Sequence, residues 1–78
     1  MAPEPARPRR KPTPAERREQ RAKVEDPAEV LDAAARFLEA RPRSEAEVRR
    51  KLLRLGYRAD LVDDVVTRLV ELGYLDDE

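Results

Sequence analysis

Apolar side chains are concentrated in the second part of this chain, and that distribution restricts where a core can form. Of the 78 residues, thirty-one are apolar; residues 27–78 hold twenty-five of them and residues 1–26 hold six. A segment with so few apolar side chains cannot bury enough surface to offset the entropy lost on ordering it. The sequence therefore predicts a disordered N-terminal arm over residues 1–26 and one small folded domain over residues 27–78.

The N-terminal arm is rich in proline and in basic residues. Five of the seven prolines lie in the first fourteen residues, and residues 1–26 carry a net charge of +3 against −3 for residues 27–78. The arm can contact nucleic acid or an acidic partner electrostatically, or it can be a solubilising tail with no specific partner. Its candidate contact residues are Arg7, Arg9, Arg10, Lys11, Arg17 and Arg18.

One stretch of the arm has the signature of a helix start. In the sequence TPAE, Thr13 is a suitable N-cap, Pro14 suits the first helical position and Glu16 can complete a capping box. No apolar stripe follows, and such a short segment is marginal as an isolated helix. We therefore expect only a transient helix here.

Start and stop signals divide the rest of the chain into three helices. The first helix has Asp26 as its N-cap with Glu29 reaching back, and the second has a capping box of Ser44 and Glu47. Pro42 ends the first helix, since the residue before a proline avoids helical geometry. Gly56 and Gly73 end the second and third helices as left-handed caps. The predicted fold is all-α, with helices at about 27–41, 44–55 and 58–72.

Apolar residues recur along each helix at helical spacing. The first helix has a single apolar face of ordinary width, and the second has one formed by Val48, Leu52 and Leu55. The third helix has a stripe about 180° wide, from Leu61 to Leu72, which indicates contact on two sides. Leu53 lies off the apolar face of the second helix and indicates further surface that another element covers.

Composition excludes several classes of active site. The chain has no Cys and no His, so zinc fingers, iron–sulfur and haem sites, disulfide scaffolds and His- or Cys-based catalysis are excluded. The single serine, Ser44, is accounted for as a helix cap, and no glycine-rich phosphate loop is present. The longest apolar run is three alanines, too short for a membrane span. We expect a cytoplasmic, non-enzymatic protein with no cofactor, no small-molecule substrate and no membrane contact.

Basic residues cluster on and just before the second helix. The candidate contacts with a partner or with a DNA backbone are Arg43, Arg49, Arg50, Lys51 and Arg54. Cations near the end of a helix also complement its dipole, so the cluster has a purely structural explanation as well. A helix–turn–helix in which the third helix reads DNA is disfavoured, because Asp60, Asp63, Asp64 and Glu71 make the outer face of that helix acidic.

Three stretches of the domain resemble a known family. The sequence AARFL at residues 34–38, RPRSEAEVRRKLL at residues 41–53 and, after Gly56-Tyr57 and a helix, ELGYLDDE at residues 71–78 look like the first repeat of the bacterial RecX regulatory family. The resemblance covers about residues 30–78. It implies a three-helix repeat, and family members usually contain three such repeats in tandem. This chain holds one repeat, so we expect it to lack the further repeats.

The resemblance also implies a function. Members of this family bind the RecA recombinase, lie in the groove of its filament on single-stranded DNA, and restrain strand exchange and ATP hydrolysis in recombination and DNA repair. They have no catalytic activity. One repeat would contribute one weak contact to a grip that is normally multivalent.

The residues themselves leave two alternatives open. The chain can be a stand-alone nucleic-acid-binding helical domain that acts through its basic arm and second helix, in which case binding needs no RecA and falls steeply with salt. It can also be a scaffold fragment with no activity of its own.

Overall fold

A computed structural model describes residues 11–75, and within them the chain is all-α, as predicted. Its four helices are α1 (Pro14–Ala22), α2 (Pro27–Ala40), α3 (Glu45–Leu55) and α4 (Ala59–Glu71). The last three correspond to the three predicted helices, with boundaries that differ by one residue at most at each end. No strand forms among residues 11–75.

The predicted caps fix where α2 and α3 begin. The hydroxyl of Ser44 accepts from the backbone N–H of Glu47 at 3.2 Å, and the Glu47 carboxylate accepts from the backbone N–H of Ser44 at 3.5 Å. At α2 the Asp26 carboxylate accepts from the N–H of Ala28 at 3.0 Å. The expected return bond, in which the Glu29 carboxylate accepts from the backbone N–H of Asp26, does not form, so the cap of α2 is only half of the predicted box.

Two similar turns end α3 and α4. Gly56 and Gly73 adopt positive φ angles of 106° and 75°. In each turn the glycine N–H donates to the carbonyl three residues back, and the following tyrosine N–H donates to the carbonyl five residues back, at 3.0–3.3 Å. This is the Schellman pattern, in which a residue without a Cβ atom takes the left-handed position without strain.

The core lies between α2, α3 and α4. Nine side chains among residues 11–75 are buried, and α4 supplies five of them. They are Val30, Ala34, Val48, Leu52, Leu61, Val62, Val65, Val66 and Leu69. Because α4 packs against both α2 and α3, its wide stripe is explained by contact on two sides. Two members of the predicted stripe, Val70 and Leu72, remain exposed, at 43% and 47%.

The structure differs from the expected arm in residues 14–22, which form α1. The predicted capping box is present: the Thr13 hydroxyl accepts from the N–H of Glu16 at 3.1 Å, and the Glu16 carboxylate accepts from the N–H of Thr13 at 3.2 Å. Helix α1 has no buried residue. Its position is fixed by a contact with the end of α3, which a reading of local helix signals does not include. Residues 1–10 lie outside the described part of the chain, and their disorder stays a prediction.

Helix α1 rests on the turn at Gly56. The Arg21 guanidinium donates through Nη1 to the carbonyl oxygen of Leu55 at 3.3 Å. A Cβ atom on Gly56 would lie 2.7 Å from the carbonyl oxygen of Arg18 and 2.8 Å from its Cα. The missing side chain of Gly56 therefore serves two purposes, since it permits the left-handed turn and the close approach of α1.

No helix in the described residues is long and apolar enough to cross a membrane.

Candidate functional site

A small notch on one side of α3 brings most of the predicted basic residues together. It has a volume of about 240 Å³ and is lined by Phe37, Arg43, Glu47, Arg50, Lys51 and Arg54. We call these six residues the basic notch. Four cations and one carboxylate give it a net formal charge of +3. The α2–α3 connection supplies Arg43, and three cations follow on α3 at positions i, i+1 and i+4.

Arg43 is held in place at the floor of the notch. Its guanidinium carbon lies 4.1 Å from the centroid of the Phe37 ring, and the Nζ of Lys51 lies 5.6 Å from the same centroid. The Arg43 side chain is only 16% exposed, and its Nη1 lies 3.6 Å from the Glu47 carboxylate. Its Nε is buried and has no hydrogen-bond partner in the described structure. Stacking on the ring thus orients a cation without using all of its donors.

Glu47 is the single carboxylate of the notch, and it already has several partners. It accepts from Ser44 in the capping box, and Arg41 contributes an ion pair at 3.5 Å. The backbone hydrogen bond from Ser44 and, after it, the charges of Arg41 and Arg43 lower the pKa of Glu47 below its usual value of 4.5. Glu47 therefore stays ionised at neutral pH and offsets only part of the positive charge around it.

Three cations of the basic notch have no ion pair with any described residue. Arg50 and Arg54 are exposed, and Lys51 is half-buried beside the ring. The last turn of α3 carries Arg54, so the helix dipole accounts for that residue. Arg50 and Lys51 precede the last turn and gain less from the dipole, which acts within the final turn. Their charges are available to a partner.

Arg49 does not belong to the basic notch, although it was predicted with the others. Its Nη2 lies 3.5 Å from the Glu45 carboxylate, and its Nε lies 3.7 Å from the Asp63 carboxylate on α4. The first pair lies within α3, and the second joins α3 to α4. The structure therefore places Arg49 on another side of α3, where internal partners occupy it.

The predicted arm residues are only partly within the described structure. Lys11, Arg17 and Arg18 are exposed, and the last two lie on α1 beside the end of α3. Arg7, Arg9 and Arg10 lie outside the described residues. Arg21, which joins α1 to α3, was not singled out from the sequence. The one available signal was Gly56, because glycine often marks a close approach of two backbones.

The outer face of α4 is acidic, as predicted. Asp60, Asp63, Asp64 and Glu71 are all exposed. Arg58 binds Asp60 with two bonds, from Nε at 3.1 Å and from Nη2 at 2.7 Å. The hydrogen bond from Arg58 and then its charge lower the pKa of Asp60 below its usual value of 3.8. This face would repel a phosphate backbone, whereas the basic notch would attract one.

An apolar groove lies between the C-terminal ends of α2 and α4. It has a volume of about 840 Å³, and its lining includes Leu31, Ala35, Leu38, Pro42, Leu69, Leu72 and Tyr74. Leu72 and Tyr74 are 47% and 63% exposed. Leu53, which was predicted to mark uncovered surface, is 44% exposed on α3.

Comparison with known proteins identifies the fold unit. Residues 31–69, half of the chain, match the family model of the first three-helix domain of RecX. No curated protein and no solved structure gives a match. The matched residues begin within α2, include all of α3 and reach Leu69 of α4, so they hold the whole basic notch and every buried core residue named above except Val30. The chain belongs to the RecX family of regulatory, non-enzymatic proteins and carries the first of its three-helix domains.

Proposed function

We propose that this protein is a cytoplasmic regulator that binds the RecA recombinase, or its filament on single-stranded DNA, and restrains recombination and DNA repair. The observation that carries the proposal is the match to the first three-helix domain of RecX over residues 31–69. Association with RecA is a general property of that family, and regulation by binding needs no catalytic group in this chain.

The basic notch is the surface that we assign to this contact. Arg43 is already oriented by Phe37, and Arg50, Lys51 and Arg54 have no ion pair among residues 11–75. Cations without internal partners attract an anionic surface and set the orientation in which it docks. The exposed basic residues Arg17 and Arg18 of α1 add charge near the same end of α3. Arg49 contributes to the stability of the domain rather than to the contact.

The test is RecA ATP hydrolysis on single-stranded DNA with the full chain titrated in. Binding of the chain to the same DNA without RecA is measured in parallel at the same salt concentration. Slowed hydrolysis at chain concentrations well below those that occupy bare DNA is the expected result. Slowing that only follows the occupancy of bare DNA would make the chain a plain nucleic-acid binder. No slowing, together with no binding to RecA in a direct assay, would overturn the proposal.

A further inference from the structure

We propose that the basic notch binds a phosphodiester group of a single DNA strand. This inference rests on the proposed function only in that a RecA filament would present such a strand. The first argument is charge. The notch has a net formal charge of +3. Its single carboxylate, Glu47, already accepts a hydrogen bond from the backbone N–H of Ser44 and forms an ion pair with Arg41.

The second argument is preorganisation. Arg43 is stacked on Phe37 at 4.1 Å and is mostly buried, so little conformational entropy remains to be lost when it binds an anion. Arginine presents its donors in a planar fork that suits the two non-bridging oxygens of a phosphate. At one end of that fork, the Nη1 of Arg43 lies 3.6 Å from the Glu47 carboxylate, a distance longer than a hydrogen bond.

The third argument is size and spacing. A notch of about 240 Å³ admits a compact anion but not a folded protein segment. Arg50 and Arg54 are about one helical turn apart, or about 6 Å along the axis of α3. They therefore line the notch at two separate positions. A strand with repeated phosphates can contact both of them, and each phosphate offers two non-bridging oxygens to an arginine fork. Polyglutamate also repeats its charge, so comparison with it tests whether the notch prefers a nucleic-acid backbone.

The geometry also predicts that binding ignores base sequence. Single-strand binders commonly stack bases on exposed aromatic rings, and those that read sequence also hydrogen-bond the base edges. Phe37 is the aromatic residue of the notch, and Arg43 and Lys51 already lie over its ring. The notch offers cations to the strand, and its aromatic ring is already in contact with two of them, so we expect the contact to be made to the backbone.

The experiment measures binding of the full chain to labelled oligonucleotides by fluorescence anisotropy at several salt concentrations. The notch variant carries Arg50→Ala and Lys51→Ala, both on α3 and neither in an ion pair among described residues. The matched control carries Arg36→Ala and Arg68→Ala, which remove the same charge from exposed positions on α2 and α4. Circular dichroism establishes that both variants stay folded.

We expect weak, salt-sensitive binding of oligo-dT and oligo-dA with equal affinity. Each phosphate contact contributes about 0.7 to the slope of log K against log salt, so the notch variant should lose about 1.4 and the control much less. Two further probes separate the sources of binding. A peptide nucleic acid with the same bases has no phosphates and should not bind. Polyglutamate should bind more weakly than DNA of equal charge.

Three results would overturn the inference: equal loss of affinity in both variants, equal binding of DNA and the peptide nucleic acid, or tighter binding of polyglutamate. The RecA hydrolysis assay on the same variants separates this inference from the proposed function. If the notch variant still slows hydrolysis but DNA binding is unchanged, the function stands and the phosphodiester site does not. If DNA binding is lost with the notch and hydrolysis was never slowed, the reverse holds.

Discussion

Ser44 is the residue on which the start of α3 depends. Its hydroxyl satisfies a backbone N–H that has no partner within the helix, and removal of such a cap costs about 1 kcal/mol. We predict that Ser44→Ala lowers the free energy of unfolding by that amount in urea denaturation followed by circular dichroism. Thr13→Ala is the matched control, since it removes the same type of cap from α1, which has no buried residue. A loss in Thr13→Ala as large as in Ser44→Ala would contradict this ranking.

Glu47 couples the stability of the domain to pH. Its pKa is lower in the folded state than its usual value of 4.5, so folding favours the ionised carboxylate. The stabilisation is fully present above pH 4.5 and is lost as the pH falls through the lowered folded pKa. We predict that Glu47→Gln lowers the free energy of unfolding at pH 7 and that the difference from the unaltered chain shrinks as the pH is lowered below 4.5. A difference that does not change as the pH falls would show that the charge of Glu47 does not contribute to the stability of the domain.

Local residue patterns revealed the caps, but they did not reveal the contacts between helices. The Ser44 and Thr13 boxes involve residues three apart, so the sequence alone predicts them. The stacking of Arg43 on Phe37 and the pairing of Arg49 with Asp63 join different elements. Both depend on how the helices are rotated about their axes, which a list of neighbouring residues does not specify. This is why the sequence grouped Arg49 with the other basic residues of the second helix, whereas the structure places it outside the basic notch.

At the scale of elements, Gly56 connects the end of α3 to α1. Alanine in a left-handed position costs about 1–2 kcal/mol wherever it occurs. At Gly56 its Cβ would also meet the backbone of Arg18 at 2.7 Å, whereas at Gly73 nothing lies within 4 Å. We predict that Gly56→Ala and Gly73→Ala share the backbone cost and that only Gly56→Ala also releases α1. Hydrogen exchange of the α1 amides measures that release.

The two glycine variants separate strain from docking. Faster exchange in α1 for Gly56→Ala alone is the expected pattern, and Arg21→Ala should produce a milder form of it because Arg21 donates to Leu55 at 3.3 Å. Equal exchange of α1 in both glycine variants would mean that α1 does not depend on the Gly56 turn. The result also tests the predicted arm, since we expect slowed hydrogen exchange in α1, which contacts α3, and fast exchange in the rest of the arm.

Helix α1 shows the limit of composition as a guide to order. Its few apolar residues correctly predict that it adds nothing to the core. They do not predict that a backbone carbonyl at the end of α3 accepts from Arg21, because that carbonyl is available only after α3 has formed its final turn. The helix start at Thr13 was predictable; its docking partner was not.

At the scale of the whole molecule, the charged surfaces are segregated around one core. The basic notch lies along α3, the acidic face lies on α4, and the apolar groove lies between α2 and α4. A neutral chain with separated charges presents opposite signs to an approaching polyanion and so orients it. The wide apolar stripe of α4 was predictable from the sequence, but which of its members stay exposed depends on how α2 and α3 pack against it.

Cooperativity of this small domain is tested by two adjacent leucines of α3. Leu52 is fully buried, and Leu53 is 44% exposed. Truncation of a buried leucine costs about 2–5 kcal/mol, which is as much as a core of this size supplies in total. We predict that Leu52→Ala is largely unfolded at 25 °C by circular dichroism, whereas Leu53→Ala loses about 0.5 kcal/mol or less. Since α3 also carries the notch, Leu52→Ala should lose DNA binding together with structure, and Leu53→Ala should retain both. A folded Leu52→Ala chain with full stability would show that the core between α2, α3 and α4 is not what holds the notch in place.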